Sequence, residues 1–284
     1  MQTIHHPVLS HFQAHVLVEA RKQGKPSITT TADLGITSCE ALLDDAGVTF
    51  PGQACLPWNA IEEIAAHRNA CYYVKDNTAF PIKGFSGFSG RPFSLMPTKS
   101  APALIIAGFS MHRIKDTDPG RAAQAMINTV APVYGHVLDT ATGLGYTAIC
   151  AVQTAGQVTT IEIDPVAQDM ARLNPWSRNL FDNLKIKKII GDTAEEITKF
   201  PDRHFERILH DPPAVNLAGD LYAGVFYQQL YRVLKPGGRV FHYIGDSESL
   251  SGARTTKGVV RRLSEAGFIK VVLEPKAFGI TACK

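Results

Sequence analysis

From about residue 120 to the end of the chain, short apolar segments alternate with amphipathic ones. This alternation limits the fold more than any other feature of the sequence. An apolar run one strand long, then a helical pattern, then another apolar run, is the mark of parallel strands joined by crossover helices. The spacing predicts strands over 136–139, 158–163, 185–191, 208–210, 239–244, 270–274 and 279–283. Helices are predicted over 121–130, 146–155, 165–181, 194–199, 221–234 and 258–266, with Pro175 kinking the third and Lys235-Pro236-Gly237-Gly238 turning the chain before the fifth strand. No helical pattern separates the last two strands, so they are expected to pair antiparallel. The implied class is α/β, a doubly wound, seven-stranded, mostly parallel sheet.

The first 115 residues have a different texture, with shorter segments and more turns. They read as a small α+β domain, 1–115, ahead of the sheet domain, 116–284. A helix over 7–23 is predicted to bury Leu9, Phe12, Val16 and Ala20 on one face. A second over 58–67 is expected to be capped by Asn59 with Glu62 three residues on. Asp76-Asn77 marks a hairpin turn.

Composition narrows the function. Hydrophobic residues make up 45% and charged residues 19%, which excludes a disordered chain. The longest nearly apolar run, 101–109, is about half of the roughly 20 residues a membrane span requires, and no secretory leader is evident, so the expected compartment is the cytoplasm. Net charge is +3, from 29 basic and 26 acidic side chains. Residues 1–132 hold 11 against 10 and residues 133–284 hold 18 against 16, so neither part is basic enough to announce a nucleic-acid binder. Five cysteines, odd in number and without a C-x-x-C pair, argue against a disulfide framework or a zinc site. His5, His6, His11 and His15 cluster near the start, but no carboxylate joins His11 and His15 at ligand spacing, so no metal is expected.

Chemistry concentrates at the predicted strand ends. Val137-Leu138-Asp139 runs into Thr140-Ala141-Thr142-Gly143-Leu144-Gly145 and then into a helix. Small residues let a backbone approach a ligand closely, and a helix start offers free N–H groups. Glu162 ends the next strand, Asp192 follows the third, and His210-Asp211-Pro212-Pro213 follows the fourth. Open α/β sheets bind ligands at these carboxyl ends, where an acid after the second strand can accept ribose hydroxyls. Ser110-Met111-His112-Arg113 supplies a further pair, His112 and Arg113, suited to an anionic group or to general-base work.

These motifs resemble those of the class I S-adenosylmethionine-dependent methyltransferases, over roughly residues 120–284. The first loop is similar to the family's D-x-G-x-G-x-G, with Ala141 in place of its first glycine. The wording also resembles an uncharacterised archaeal and bacterial methyltransferase subgroup with an extra N-terminal domain. The resemblance implies a Rossmann-like methyltransferase fold, S-adenosyl-L-methionine as cofactor, and Asp139, Ala141, Gly143, Gly145, Glu162 and Asp192 as its binding residues. It implies that Asp211, Pro212 and Pro213 orient an acceptor nitrogen, with His112 and Arg113 as further candidates. The aromatic that usually follows the two prolines is Ala214 here, and Tyr222, Phe226 and Tyr227 are the nearby aromatics. The acceptor is left open among RNA, a protein side chain and a small molecule, with no membrane partner and the N-terminal domain as selector. An aminopropyltransferase using decarboxylated S-adenosylmethionine is an alternative, although its glycine-richer loop is missing; a non-catalytic cofactor-binding scaffold is another. A dinucleotide oxidoreductase does not fit, because an acid opens this loop where G-x-G-x-x-G would start.

Overall fold

A computed structural model of the chain describes residues 6–213 and 218–284. His5 and Ala214, both singled out above, lie outside them. The chain forms two compact units, Met1–Gly120 with Val166–Arg178, and Arg121–Pro165 with Asn179–Lys284. The segment Val166–Arg178, which the sequence assigns to the sheet domain, groups with the first unit.

The second unit is built on one seven-stranded sheet. Its strands are β1 (His136–Asp139), β2 (Gln157–Glu162), β3 (Ile186–Ile190), β4 (Phe205–His210), β5 (Leu234–Tyr243), β6 (Ile269–Glu274) and β7 (Gly279–Cys283). Their spatial order is β3-β2-β1-β4-β5-β7-β6. The first five are parallel, and β7 runs antiparallel between β5 and β6. This is the doubly wound, mostly parallel arrangement that the alternating pattern implies. The central strands are apolar on both faces because helices cover both sides of such a sheet. Leu138, Ile161, Ile208 and Val240 are fully buried, in one core with Phe226, Tyr227 and Leu230 of helix Gly224–Val233 and Val259 and Leu263 of helix Leu250–Glu265.

Two local predictions are corrected. The helix over 165–181 is three pieces, Pro165–Leu173, a 3-10 turn at Pro175–Ser177, and Arg178–Asp182. Pro175 has no N–H to continue the ladder, and the Asn174 side chain accepts the N–H of Trp176 at 3.2 Å to start a new turn. Lys235–Gly238 does not precede β5 but lies inside it. Pairing with β4 jumps from Phe205 with Leu234 to Arg207 with Arg239, so the segment bulges, and Gly237 at φ 75° supplies the backbone angle this needs.

The first unit carries small antiparallel sheets and two helices. Asp76 and Asn77 have φ of 49° and 60°, the left-handed pair of a tight hairpin between Tyr72–Lys75 and Thr78–Pro81. Helix His11–Lys22 starts at Ser10, which forms a capping box with Gln13. Of the predicted stripe, Leu9, in the preceding strand, and Ala20 are buried, the latter with Ala14 and Leu17, whereas Phe12 and Val16 are exposed. Asn59 is not a cap either. Helix Trp58–Ala66 follows Pro57, and the buried Trp58 anchors it by donating its indole N–H to the carbonyl of Asp44 at 2.8 Å. Among the described residues, no helix is long and apolar enough to cross a membrane, and no cluster of three or more His, Cys, Asp or Glu is placed to hold a metal.

Candidate active site

The carboxyl ends of β3, β2, β1 and β4 stand side by side, and each brings an acid to the same edge of the sheet. Asp139 is fully buried at the end of β1. Its Oδ2 accepts hydrogen bonds from Thr160 Oγ1 at 2.9 Å and Thr147 Oγ1 at 3.1 Å, and Thr142 Oγ1 lies 2.7 Å from Thr160 Oγ1. Oδ1 has no hydrogen-bond partner among the described residues. Burial pushes the carboxyl up to about 7, more than the two threonine hydroxyls and the Ala141 N–H can offset, and Glu162 adds repulsion.

The two loop glycines do different work. Gly143 has φ 50°, donates its N–H to Glu162 Oε2 at 2.8 Å, and faces open space where a Cβ would stand. Gly145 has φ 79° and starts helix Tyr146–Ala151; a Cβ there would come within 2.7 Å of Leu180. Gly143 therefore leaves room for a ligand, whereas Gly145 is required by packing.

Glu162 is buried, and its Oε1 accepts the N–H of Asp164 at 3.0 Å. Burial raises its pKa, the backbone N–H groups of Asp164, Gly143 and Ile163 oppose that rise, and the charge of Asp164 adds to it. Each oxygen keeps a lone pair free for a further donor. Asp192 caps helix Thr193–Glu196 through the N–H of Ala194 at 2.8 Å, so a structural duty accompanies its position on the edge.

Asp211 follows β4 and is partly exposed. Burial of its carboxylate, aided by the charge of Asp139, pushes it up to about 7. The segment it opens is held at both ends. His210 Nδ1 accepts from Thr140 Oγ1 at 2.7 Å, and its Nε2–H donates to the carbonyl of Leu221 at 3.1 Å. A carbonyl can only accept, so this pairing fixes the tautomer, and burial holds the ring well below its ordinary pKa. The Tyr222 hydroxyl donates to the carbonyl of Pro213 at 3.2 Å. Beneath, His242 stands 4.4 Å from the His210 ring and pairs with the Tyr227 hydroxyl at 2.9 Å, which places Tyr227 and Phe226 in the core.

Thr140, Thr142, Thr147, Thr160, His210 and Tyr222 were not singled out by motif as a connected set. The signal available was Thr140, Thr160 and His210 at or beside the ends of three otherwise apolar strands. His112 and Arg113 belong to the first unit, where His112 Nδ1 accepts the N–H of Leu104 at 3.2 Å and burial lowers the ring to about 4.

A family described as "Methyltransferase domain" matches residues 138–242. "Uncharacterized protein MJ1233" of Methanocaldococcus jannaschii is 40% identical over 237 residues, covering 83% of this chain and 80% of that protein. The chain belongs to the class I S-adenosylmethionine-dependent methyltransferase family. Its fold is also shared with spermidine synthases. The enzyme of Thermotoga maritima has a TM-score of 0.56 at 19% identity, over 75% of this chain and 77% of that one. A spermidine synthase solved with a transition-state analogue has a TM-score of 0.57 at 19% identity, over 69% and 70%.

The residues of this methyltransferase fit the cofactor its family uses. The orphaned Oδ1 of Asp139 suits an ammonium, the lone pairs of Glu162 suit the two ribose hydroxyls, and the open space at Gly143 admits a close neighbour. Glu162→Gln should weaken S-adenosylmethionine binding by about 1.5 kcal/mol, roughly tenfold. Titration calorimetry on the two proteins measures it, and equal affinities would refute the ribose role.

Proposed function

We propose that this methyltransferase moves a methyl group from S-adenosylmethionine to an acceptor nitrogen oriented by Asp211, Pro212 and Pro213. One observation carries the reading. Asp211 presents a carboxylate with no hydrogen bond from the protein among the described residues, on a segment stiffened by two prolines and anchored through His210 and Tyr222. An acceptor amine that donates to this carboxylate turns its lone pair away from it and toward the donor. When bound, the cofactor supplies a methyl already activated by a sulfonium, so the protein's task is mainly to hold the partners in line. Asp139, with Ala141, Gly143 and Gly145 shaping its loop, would hold the methionine end, Glu162 the ribose, and Asp192 the adenine amino group. His112 and Arg113 would help the first unit select the acceptor, and the cytoplasm is the compartment proposed for the reaction.

Incubation with methyl-labelled S-adenosylmethionine and fractionated cell extract tests the reading. Label should enter one of the RNA, protein or small-molecule pools as N-methyl groups. Tight cofactor binding with no label in any pool would favour the non-catalytic scaffold.

The shared fold with spermidine synthases over 69–75% of the chain supports aminopropyl transfer as a second reading. Decarboxylated S-adenosylmethionine offered beside the intact cofactor separates the two, since only the second reading expects it to be consumed.

A further inference from the structure

Counted over residues 1–132 the charge is near balance, but it is sorted along the chain. From residue 77 to residue 115 there is no Asp or Glu, while five of the 11 basic side chains fall there, Lys83, Arg91, Lys99, Arg113 and Lys115. Lys83, Arg91, Lys99 and Lys115 make no ion pair among the described residues. Most of this acid-free tract folds into one four-stranded antiparallel sheet of the first unit, Lys83–Ser86, Arg91–Met96, Ala103–Ile106 and Phe109–Ser110.

Pairing fixes the two faces of that sheet. Gly84, Phe93 and Ile106 stand side by side, and a Cβ at Gly84 would meet Val166 at 3.1 Å, so this face is packed. Side chains alternate along a strand. Lys83, Ser94 and Ile105, paired in the next row, therefore face the other way, as do Phe85 and Pro92; Lys83, Phe85 and Pro92 are exposed.

A second observation concerns the rings. Phe85 and Phe88 are each 66% exposed and Phe109 is 69% exposed. Among the described residues of 77–115, they are the only large apolar side chains more than half exposed, and all three are aromatic. A lipid surface or an apolar protein patch can use aliphatic side chains as well as rings. A nucleic-acid base stacks on rings, and the phosphates beside it need cations. A duplex buries its base faces, so free rings select a single strand.

We propose that this sheet is a docking surface for single-stranded RNA, with bases stacked on Phe85, Phe88 and Phe109 and phosphates held by Lys83, Arg91 and Lys115. Its role rests on the transfer reading above, in which RNA is the nucleic acid among the acceptor pools. Binding itself is independent of that chemistry.

Fluorescence anisotropy of the full chain with a short labelled RNA lacking self-complementarity tests the proposal. The same assay takes that sequence as DNA, the RNA annealed to its complement, a polyglutamate peptide, and vesicles containing phosphatidylglycerol. The single-stranded RNA should bind tightest. Its affinity should fall with salt at a log–log slope of about −2, from roughly 0.7 for each of three phosphates, and Lys83→Gln with Arg91→Gln should bring the slope to about −0.7. Phe85→Ala and Phe88→Ala should each weaken binding about tenfold. Phe85→Leu should do no better than Phe85→Ala, because it keeps apolar area but loses the ring. Melting curves and S-adenosylmethionine affinity should not move in the phenylalanine variants, since both side chains are exposed. No binding of the RNA at low salt would overturn the proposal. So would tighter binding of the DNA, duplex, peptide or vesicles, or full affinity in Phe85→Leu. The assay contains no transfer step, so failure of the transfer reading shows separately, in the cell-extract experiment.

Discussion

Asp211→Ala is expected to slow methyl transfer about 10²–10³-fold, the scale of removing one preorganised polar group from an active site. Cofactor affinity should stay within a few-fold, because the cofactor contacts proposed above fall to Asp139 and Glu162 and not to Asp211. Asp211→Asn should do less harm, since its amide oxygen still accepts a hydrogen bond. The rival account makes Asp211 a fixture of the turn, and the contacts separate the two. The turn is held by His210 between Thr140 and Leu221 and by Tyr222 on Pro213, while Asp211 makes no hydrogen bond of its own among the described residues. Losing its carboxylate should therefore cost no fold stability. Melting curves and transfer rates on the same preparations decide the matter. A lowered melting temperature with full activity per folded molecule would make Asp211 structural.

Much of this site could be read from the sequence because parallel strands write it in fixed places. An acid at the end of an apolar run must emerge at the carboxyl edge once the runs are parallel, and Asp139, Glu162 and Asp211 do so. What could not be read depends on contacts distant in sequence. That Gly145 faces Leu180 while Gly143 faces open space is a packing fact separated by 35 residues for the first and invisible for the second. The bond between Thr140 and His210 spans 70 residues and exists only because β1 and β4 are neighbours. In the first unit the predicted helical face holds in part. Phe12 and Val16 are exposed while Leu9 and Ala20 are buried, because the helix packs through Ala14, Leu17 and Ala20, a choice made by tertiary packing.

The Asp139 carboxyl also fixes how the protein should respond to pH. An ordinary aspartate titrates near 3.8, whereas burial pushes both Asp139 and Asp211 up to about 7. Between about pH 4 and pH 7 the folded, ligand-free protein therefore holds protons that the unfolded chain has released. Stability falls with rising pH wherever the folded state binds more protons, so these two groups stabilise most below pH 4 and lose that contribution progressively up to about pH 7, beyond which it levels off. Binding should show the opposite trend. A cofactor whose ammonium pairs with ionised Asp139 must first displace its proton, and that costs less as the pH rises. A single group titrating near 7 in the free protein makes affinity for S-adenosylmethionine about 10²-fold tighter at pH 8 than at pH 5. His210 and His242 do not interfere, because burial holds both neutral through this range. Calorimetry at pH 6 in two buffers of different ionisation enthalpy should count close to one proton released per cofactor bound, and Asp139→Asn should abolish both the release and the pH dependence. Affinity that stays flat between pH 5 and pH 8 would mean that Asp139 does not face the ammonium.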